Sequence, residues 1–374
     1  MRILLIGNYA PDRQQSMLRY AEMMRDGLLE AGYQVTLAVP RPVLNSRGRP
    51  ASGIWKWIGY FDKFVLNAVD FARASRQADV VHVCDHGNAV YVPNKPRRPY
   101  VVTCHDLLAV RAALGENTDL RPSFTGRYQQ RLILNGLRRA TAIACVSAAT
   151  LRDAKRLLRD YSGQLVVAPN SLNHPYGRLD AGVARARLAA VTALPVGSEY
   201  VLAVGSNHRR KNREAALHAV AGIQASWAGR VVFAGEALGP ELRSLGQRLG
   251  ITDRIVEVES PSNELLEALY NGALALVFPS RFEGFGWPLI EAQACGCPVI
   301  CSSAEPLPEV AGAGAILCDP EDYGAFGRAI LELAREPSRR NELVRAGLVN
   351  AKGYERPRLI QQFVSLYEQV KGAA

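Results

Sequence analysis

The sequence of 374 residues lacks any apolar run approaching the roughly 20 residues that a membrane-spanning helix needs. We therefore do not expect a transmembrane protein. The apolar run at residues 2–7 enters a glycine turn with no small-residue cleavage site behind it, so we interpret it as a first strand and not as a signal peptide. A chain of this length exceeds what one hydrophobic core usually supports, which favours two domains.

Cysteines are few and show no pairing pattern. The seven form an odd number scattered through apolar runs, which fits buried thiols in a reducing compartment such as the cytosol better than a disulfide framework. Cys295, Cys297 and Cys301 lie close together but form no C-x-x-C pair and have no adjacent histidine. We expect small core residues there and no metal site, although zinc is the alternative.

Two ligand-binding signatures are also missing. No G-x-G-x-x-G follows the first strand, which argues against a nicotinamide dehydrogenase. No two aspartates stand two residues apart, so the D-x-D arrangement that would hold a divalent ion on a diphosphate is absent. If the chain binds a diphosphate, we expect its own cations to neutralise that charge.

Short β-branched runs recur along the chain with helical stretches between them, as in a doubly wound α/β sheet. Twelve runs occur, at 2–7, 35–39, 80–84, 100–104, 142–147, 165–169, 200–205, 230–235, 254–258, 274–280, 298–302 and 315–319. The pattern predicts two Rossmann-like domains, 1–175, completed by a C-terminal helix at 357–374, and 176–356. Such sheets bind ligands at the carboxyl ends of their strands, so we expect a site in the cleft between two facing domains.

The glycine loop in FPSRFEGFGWPLIE, residues 278–291, leads into a helix predicted to begin at Pro288. Free backbone N–H groups around residues 285–289 are expected at the helix N-terminus, where they can donate to sugar hydroxyls or a phosphate. Glu283 and Glu291 can face the same mouth, one binding sugar hydroxyls and the other ribose hydroxyls. The alternative is a surface glutamate and a helix glutamate that suits the helix dipole.

Two further segments follow predicted strands. In VGSNHRRKN, residues 204–212, adjacent cations stand at a helix entrance and suit a diphosphate, or form a solvated basic turn. The missing D-x-D favours the diphosphate. His105 follows the strand at 100–104 at the carboxyl edge of the first sheet, where it can contact a donor sugar. The alternative is a structural histidine whose hydrogen bonds are made within the fold.

With these segments, nearly the whole chain resembles family 4 of the retaining glycosyltransferases, which have the GT-B fold of two facing Rossmann-like domains. The strongest part is the Glu-(seven residues)-Glu motif in PSRFEGFGWPLIEAQACGCPVI. The resemblance implies a nucleoside-diphosphate-sugar donor, no cofactor, and transfer to a hydroxyl acceptor with retained anomeric configuration. The implied catalytic residues are His105, Glu283, Arg210 and Lys211. The implied donor-binding residues are Gly205, Glu283, Gly284, Phe285, Gly286, Leu289 and Glu291, with Leu289 near the nucleoside.

The first loop departs from the family pattern. The family often has a Gly-Gly pair after the first strand, whereas residues 8–17 read NYAPDRQQSM. Gln15 and Ser16 are candidate contacts in this loop, and Asp106 is a further candidate beside His105. The acceptor is not specified by the sequence.

The net charge of +10 is concentrated in the first half of the chain. Residues 121–160 hold nine Arg or Lys and two acidic residues. The stretch 47–64 mixes Arg47, Arg49, Lys56 and Lys63 with Trp55, Trp57, Tyr60 and Phe61. This composition suits peripheral contact with an anionic membrane on its inner face, near a lipid-linked acceptor, or a solvated basic face over buried aromatics. Nucleic-acid binding is not expected; a sugar-nucleotide epimerase and a non-catalytic sugar-nucleotide binder are alternative functions.

Overall fold

A computed structural model describes residues 1–12, 14–44, 53–116, 118–189, 191, 193–195 and 197–372 of the chain. Arg47 and Arg49 of the basic stretch lie outside these residues, and the side chain of Lys56 is likewise not described. The chain forms two compact units. Met1–Asn173 and the C-terminal helix make up the first, and His174–Glu355 makes up the second.

The first unit is built on six parallel strands in the order β2-β1-β3-β4-β5-β6. The strands are β1 (Arg2–Ile6), β2 (Gln34–Ala38), β3 (Val80–Val83), β4 (Tyr100–Cys104), β5 (Ala142–Cys145) and β6 (Gln164–Val167). The helices are α1 (Gln15–Glu30), α2 (Ile54–Phe61), α3 (Asn67–Ser75), α4 (Leu108–Ala113), α5 (Phe124–Leu137) and α6 (Ala148–Leu157). A π-helical turn, Asp62–Leu66, joins α2 to α3, and a 3-10 turn, His86–Tyr91, follows β3.

The second unit also has six parallel strands, in the order β12-β11-β10-β7-β8-β9. The strands are β7 (Tyr200–Gly205), β8 (Arg230–Gly235), β9 (Ile255–Glu259), β10 (Ala275–Phe278), β11 (Val299–Ser302) and β12 (Ala315–Cys318). The helices are α7 (Ala181–Leu188), α8 (Arg213–Gly222), α9 (Pro240–Arg248), α10 (Asn263–Gly272), α11 (Trp287–Ala294), α12 (Leu307–Ala311), α13 (Tyr323–Arg335) and α14 (Pro337–Lys352); α15 (Arg356–Gly372) returns to the first unit.

The predicted doubly wound α/β fold is confirmed in both units. The central strands β3, β4 and β5 are buried along their whole length, because helices cover both faces of a parallel sheet. The strand expected at 142–147 is shorter, ending at Cys145. Ser147 instead caps α6, where its Oγ accepts a hydrogen bond from the Thr150 N–H at 3.1 Å.

The C-terminal helix α15 packs into the first unit through His82 of β3. The ring of Phe363 stacks on His82 with 4.8 Å between centroids, and the Tyr367 hydroxyl lies 2.6 Å from His82 Nδ1. On its other side, His82 Nε2 lies 2.7 Å from Thr103 Oγ1. Burial lowers the pKa of His82 to about 3, so the ring is neutral at physiological pH. A neutral hydrogen-bonded core therefore joins helix and sheet.

Each sheet has one point at which the strand order reverses. In the first unit the point lies between β1 and β3, and in the second between β7 and β10. Open α/β sheets bind ligands at the carboxyl ends of the strands beside such a point. The loops after these four strands are therefore where functional side chains are expected.

Candidate active site

The loops that follow β7 and β10 are joined to each other by hydrogen bonds from a side chain and from the backbone. Asn212 adopts a left-handed conformation with φ of 51°, and its Nδ2 donates to the Pro279 carbonyl at 3.1 Å and the Pro320 carbonyl at 2.8 Å. The Arg281 N–H donates to the Arg210 carbonyl at 2.8 Å. Asparagine tolerates this backbone conformation better than most residues. Asn212 thus fixes the two predicted segments as one unit, a role that sequence reasoning missed.

Three predicted site residues, Glu283, Arg210 and Lys211, meet in this joined loop. Lys211 Nζ lies 2.6 Å from Glu283 Oε1, and Arg210 Nη1 lies 3.0 Å from Glu283 Oε2. The Glu283 side chain is 8% exposed and that of Lys211 is 14% exposed. The carboxylate is therefore held between two cations in a largely buried position.

The two cations of this cluster favour the ionised form of the Glu283 carboxylate. Burial raises the pKa of Glu283, but the charges of Lys211 and Arg210 outweigh burial, so the pKa lies below the ordinary glutamate value. Burial lowers the pKa of Lys211, against the opposing charge of Glu283. A carboxylate stabilised in this way is a weak base and a weak nucleophile, but it remains an acceptor for hydroxyl hydrogen bonds.

Two glycines shape the backbone around the cluster. Gly205, the last residue of β7, has φ of 144°, and a Cβ there would lie 3.6 Å from the Lys211 side chain. Gly286, which precedes α11, has φ of 103°. The conformations at both positions are ones that other residues rarely adopt. Gly284, Phe285 and Gly286 therefore form a tight turn into the positive end of α11.

The side chains in this turn pack inward. Phe285 is buried against Trp287 and Tyr354, with centroid distances of 5.9 and 5.6 Å. Leu289 is fully buried, and its N–H donates to the Gly286 carbonyl at 3.1 Å. The expectation of free N–H groups around residues 285–289 is therefore wrong for Leu289, whose N–H is used within the turn. The helix begins at Trp287, and Pro288 is its second residue.

Glu291 differs from Glu283 because it accepts a hydrogen bond from a neutral side chain. Its Oε2 accepts a hydrogen bond from the Tyr270 hydroxyl at 2.8 Å, and both side chains are buried. Burial, together with the charge of Glu291, raises the pKa of Tyr270 well above the ordinary value, so the phenol stays protonated as a donor. Tyr270 comes from α10 and was missed, because a tyrosine in a helix carries no motif.

In the first unit, the loops after β1 and β3 meet through Asp85. Asn8 Nδ2 donates to Asp85 Oδ2 at 2.5 Å and to Gln14 Oε1 at 2.6 Å, while His86 Nδ1 lies 3.2 Å from Asp85 Oδ1. Burial raises the pKa of Asp85, but His86, His105 and hydrogen bonds more than offset it, so the pKa is lowered. Asp85 and His86 were missed because the strand pattern drew attention only to His105.

His105 is buried beside this network. Its Nε2 donates to the Cys84 carbonyl at 2.9 Å, and its ring packs edge-on against Tyr20 with 4.8 Å between centroids. Burial lowers the pKa of His105, opposed by Asp85. The ring is thus a neutral imidazole that carries its proton on Nε2, which leaves Nδ1 with acceptor character.

The three remaining candidates are on helix starts. Gln15 and Ser16 are exposed at the beginning of α1. Asp106 accepts a hydrogen bond from the Leu108 N–H at 3.0 Å at the start of α4. Asp106 therefore has a local structural partner, and it is Gln14, not Gln15, that contacts Asn8.

Within the described part of the chain, no three His, Cys, Asp or Glu side chains come together as metal ligands would. Cys295, Cys297 and Cys301 are buried free thiols, and burial raises the pKa of Cys297 and of Cys301 to about 12. No helix among the described residues is long and apolar enough to cross a bilayer. Lys63, one of the cations expected on an exposed basic stretch, is instead buried. Its Nζ lies 2.8 Å from Asp12 Oδ2.

Comparisons with known proteins agree with this architecture. Residues 17–174 match the family model Glycosyltransferase Family 4, and residues 185–348 match Glycosyl transferases group 1. The chain is similar over its whole length to sucrose-phosphate synthase from Thermosynechococcus elongatus, with a TM-score of 0.78, 22% identity and 100% of each chain covered. Anabaena HepE in complex with UDP and glucose has a TM-score of 0.71 at 15% identity, over 99% of this chain and 100% of HepE. The protein is a glycosyltransferase of the GT-B fold.

Two curated proteins are similar to the chain in sequence. The O-antigen chain mannosyltransferase B of Escherichia coli is 27% identical over 305 residues, which cover 76% of this chain and 73% of the relative. The D-inositol 3-phosphate glycosyltransferase of Mycolicibacterium smegmatis is 32% identical over 256 residues, covering 64% of this chain and 55% of the relative.

Proposed function

We propose that this glycosyltransferase moves a hexose from a nucleoside-diphosphate sugar to a hydroxyl acceptor, with retained anomeric configuration and without a metal ion. The observation that carries the proposal is the cluster of Arg210, Lys211 and Glu283 at the reversal point of the second sheet. Similarity to a structure in complex with UDP and glucose supports the choice of donor.

In this mechanism Arg210 and Lys211 stabilise the diphosphate as it leaves. Two fixed cations in a water-poor site supply the charge that a divalent ion supplies in other enzymes. The amides of Phe285 and Gly286, at the positive end of α11, contribute further hydrogen-bond donors. The Glu291 carboxylate accepts hydrogen bonds from the ribose hydroxyls. Gly205 and Gly284 allow the donor to approach the backbone.

Glu283 is proposed to bind donor-sugar hydroxyls and not to form a covalent intermediate. Its two cationic partners lower its pKa and therefore its nucleophilicity. A front-face substitution assisted by the leaving phosphate then accounts for retention, with neutral His105 accepting a hydrogen bond from the sugar. Trapping of a glycosyl adduct on a carboxylate would contradict this assignment.

The acceptor is proposed to bind on the first unit near the Asp85 network, and its class is a glycan or lipid-linked intermediate of glycan biosynthesis. The enzyme would then act in the cytoplasm, at the inner face of the membrane. The curated mannosyltransferase relative is named for O-antigen chains, which supports an acceptor of this class.

The test is a thermal-shift and hydrolysis screen of nucleoside-diphosphate sugars in the presence of a chelator. We expect one donor to stabilise the wild type and to be hydrolysed slowly, and Glu291→Gln and Lys211→Ala to lose both effects. Lys352→Ala, at an exposed position on α14, is the matched control. A donor that isomerises without acceptor would indicate an epimerase, and binding without any turnover would indicate a non-catalytic binder.

A further inference from the structure

Helix α5 exposes apolar side chains along one side. Phe124 is 87% exposed, Tyr128 60% and Leu132 42%, at a spacing of four residues that places all three on one face. The opposite side is fixed in the core, where Ile133, Leu134 and Leu137 are buried. The exposed face is therefore a stable feature of the fold.

A further exposed aromatic side chain lies on helix α2, which a hydrogen bond links to α5. The Tyr60 hydroxyl of α2 donates to Gln129 Oε1 of α5 at 3.0 Å. Trp57 lies edge-on to Tyr60 with 5.9 Å between centroids and is 56% exposed. Exposed aromatic side chains on neighbouring helices are typical of surfaces that enter the boundary between lipid headgroups and acyl chains.

Leu132 also lines a groove that runs away from α5. A cavity of about 460 Å³ is bounded by Ala68, Val90, Tyr91 and Leu132, with Arg139 at its margin. A second cavity of about 640 Å³ shares Ala72, Ser75, Pro93 and Tyr100 with the first. The two cavities form one continuous groove with an apolar end and a cationic end.

The cationic end of the groove carries several positive charges. Its lining includes Arg76, Lys95, Arg97 and Arg98, all exposed. Three prolines in PNKPRRP, residues 93–99, stiffen the backbone that carries three of these cations. No acidic residue occurs between Asp85 and Asp106, or between Asp119 and Asp153, a segment that adds Arg127 and Arg131 on α5.

We infer that this face, formed by α2, α5 and the groove, docks on a bilayer that contains anionic phospholipid, with an acyl chain in the apolar end and the phosphate at the cationic end. The combination of exposed aromatics, an apolar groove and an arginine-rich rim is complementary to an amphiphile and not to a soluble polyanion. The inference rests on the proposed transfer to a lipid-linked acceptor and deepens it, since α5 belongs to the connection between β4, which His105 follows, and β5.

The test is co-sedimentation of the full chain with vesicles of phosphatidylcholine alone or mixed with phosphatidylglycerol. We expect binding only to the mixed vesicles, weakened by salt. Arg97→Glu with Arg98→Glu should lower the partition coefficient roughly 25-fold or more, since each basic residue near the surface contributes roughly fivefold. Phe124→Ser with Leu132→Ser should also weaken binding, whereas Arg248→Glu with Arg345→Glu, a charge-matched control on the second unit, should change it little.

Three results would overturn the inference: no binding to mixed vesicles, equal binding to phosphatidylcholine, or an equal loss in the control pair. Binding of inorganic phosphate, followed by calorimetry, without binding to mixed vesicles would show that the cationic end takes free phosphate and not lipid. Donor-induced thermal stabilisation is measured for every variant. It reports on folding and on the donor site, so failure of the membrane inference and failure of the proposed function can be told apart.

Discussion

Both sheets reverse their strand order beside their first strand, β1 in the first unit and β7 in the second, yet the side chains there use different chemistry. In the second unit Glu283 is held between Arg210 and Lys211, an arrangement dominated by net charge. In the first unit Asn8 and Asp85 form a buried hydrogen-bonded network, and burial lowers the pKa of His105 beside it. The same kind of fold thus holds a charged cluster at one reversal point and a hydrogen-bonded network beside a neutral histidine at the other.

The largest effect is expected from Lys211→Ala. Loss of this cation should lower kcat/KM about 10²- to 10³-fold, because a preorganised group that stabilises developing charge is removed. Steady-state kinetics with the donor found in the screen measure the loss. Lys352→Ala is the control. A Lys211→Ala variant as active as the wild type would contradict the role proposed for the charged cluster of the second unit.

Glu283→Gln separates binding of the diphosphate from binding of the sugar. Without the carboxylate, both cations are available to the diphosphate, so affinity for the nucleoside diphosphate should hold or rise while transfer falls by about tenfold or more. Calorimetry and kinetics on the same variant test both parts. A parallel loss of diphosphate affinity would mean that Glu283 acts only by positioning Arg210 and Lys211.

His105→Gln should have a smaller effect, of about tenfold on kcat, because a hydrogen bond between neutral groups contributes modestly. Donor affinity should stay unchanged, since the residues proposed to bind the diphosphate lie in the other unit. A loss of donor affinity with unchanged kcat would contradict the role proposed for His105. Tyr20→Phe keeps the ring that packs on His105 and serves as the control.

The pH dependence of stability should differ between the units. The folded-state pKa of His82 is about 3, below its unfolded value of about 6.5, so the native state binds fewer protons and stability falls as the pH drops below about 6.5. The slope should approach about 1.4 kcal/mol per pH unit within that window. Hydrogen exchange in β3 and β4 measures it, and His82→Gln should flatten it, whereas His218→Gln in the second unit should not.

The smallest effect is expected from Tyr270→Phe, which removes one hydrogen bond to Glu291. Donor affinity should fall by roughly two- to tenfold, in keeping with about 0.5–1.5 kcal/mol for such a bond. Equilibrium binding of the donor measures the change. An effect as large as that of Glu291→Gln would show that Tyr270 has a direct part in binding.

The fold was predictable from the sequence because buried parallel strands and the helices between them leave a strong pattern. All twelve predicted runs correspond to strands, and the errors lie at their ends, as at Ser147, where a capping side chain competes with the sheet. The motif residues Glu283, Arg210 and Lys211 were found as candidates, but their mutual contacts were not. These depend on Asn212, whose side chain bonds to carbonyls far along the chain.

Other parts of the site could not be predicted for similar reasons. Tyr270 reaches Glu291 from a different helix, and Asp85 reaches Asn8 from a different strand, so neither contact has a local spacing that identifies it. The position of Leu289 near a nucleoside stays a prediction, and its side chain is fully buried in the second unit. An apolar residue in a helix next to a loop looks the same in either role.

We propose that protein cations, and not a metal ion, bind the donor diphosphate of this enzyme. The most direct measurement compares the affinities of UDP, GDP and ADP with those of the matching nucleosides, in chelator, for the wild type and Lys211→Ala. We predict that the wild type binds one diphosphate far more tightly than its nucleoside and that the variant loses most of this difference. A preference that requires a divalent ion, or that survives in Lys211→Ala, would contradict the claim.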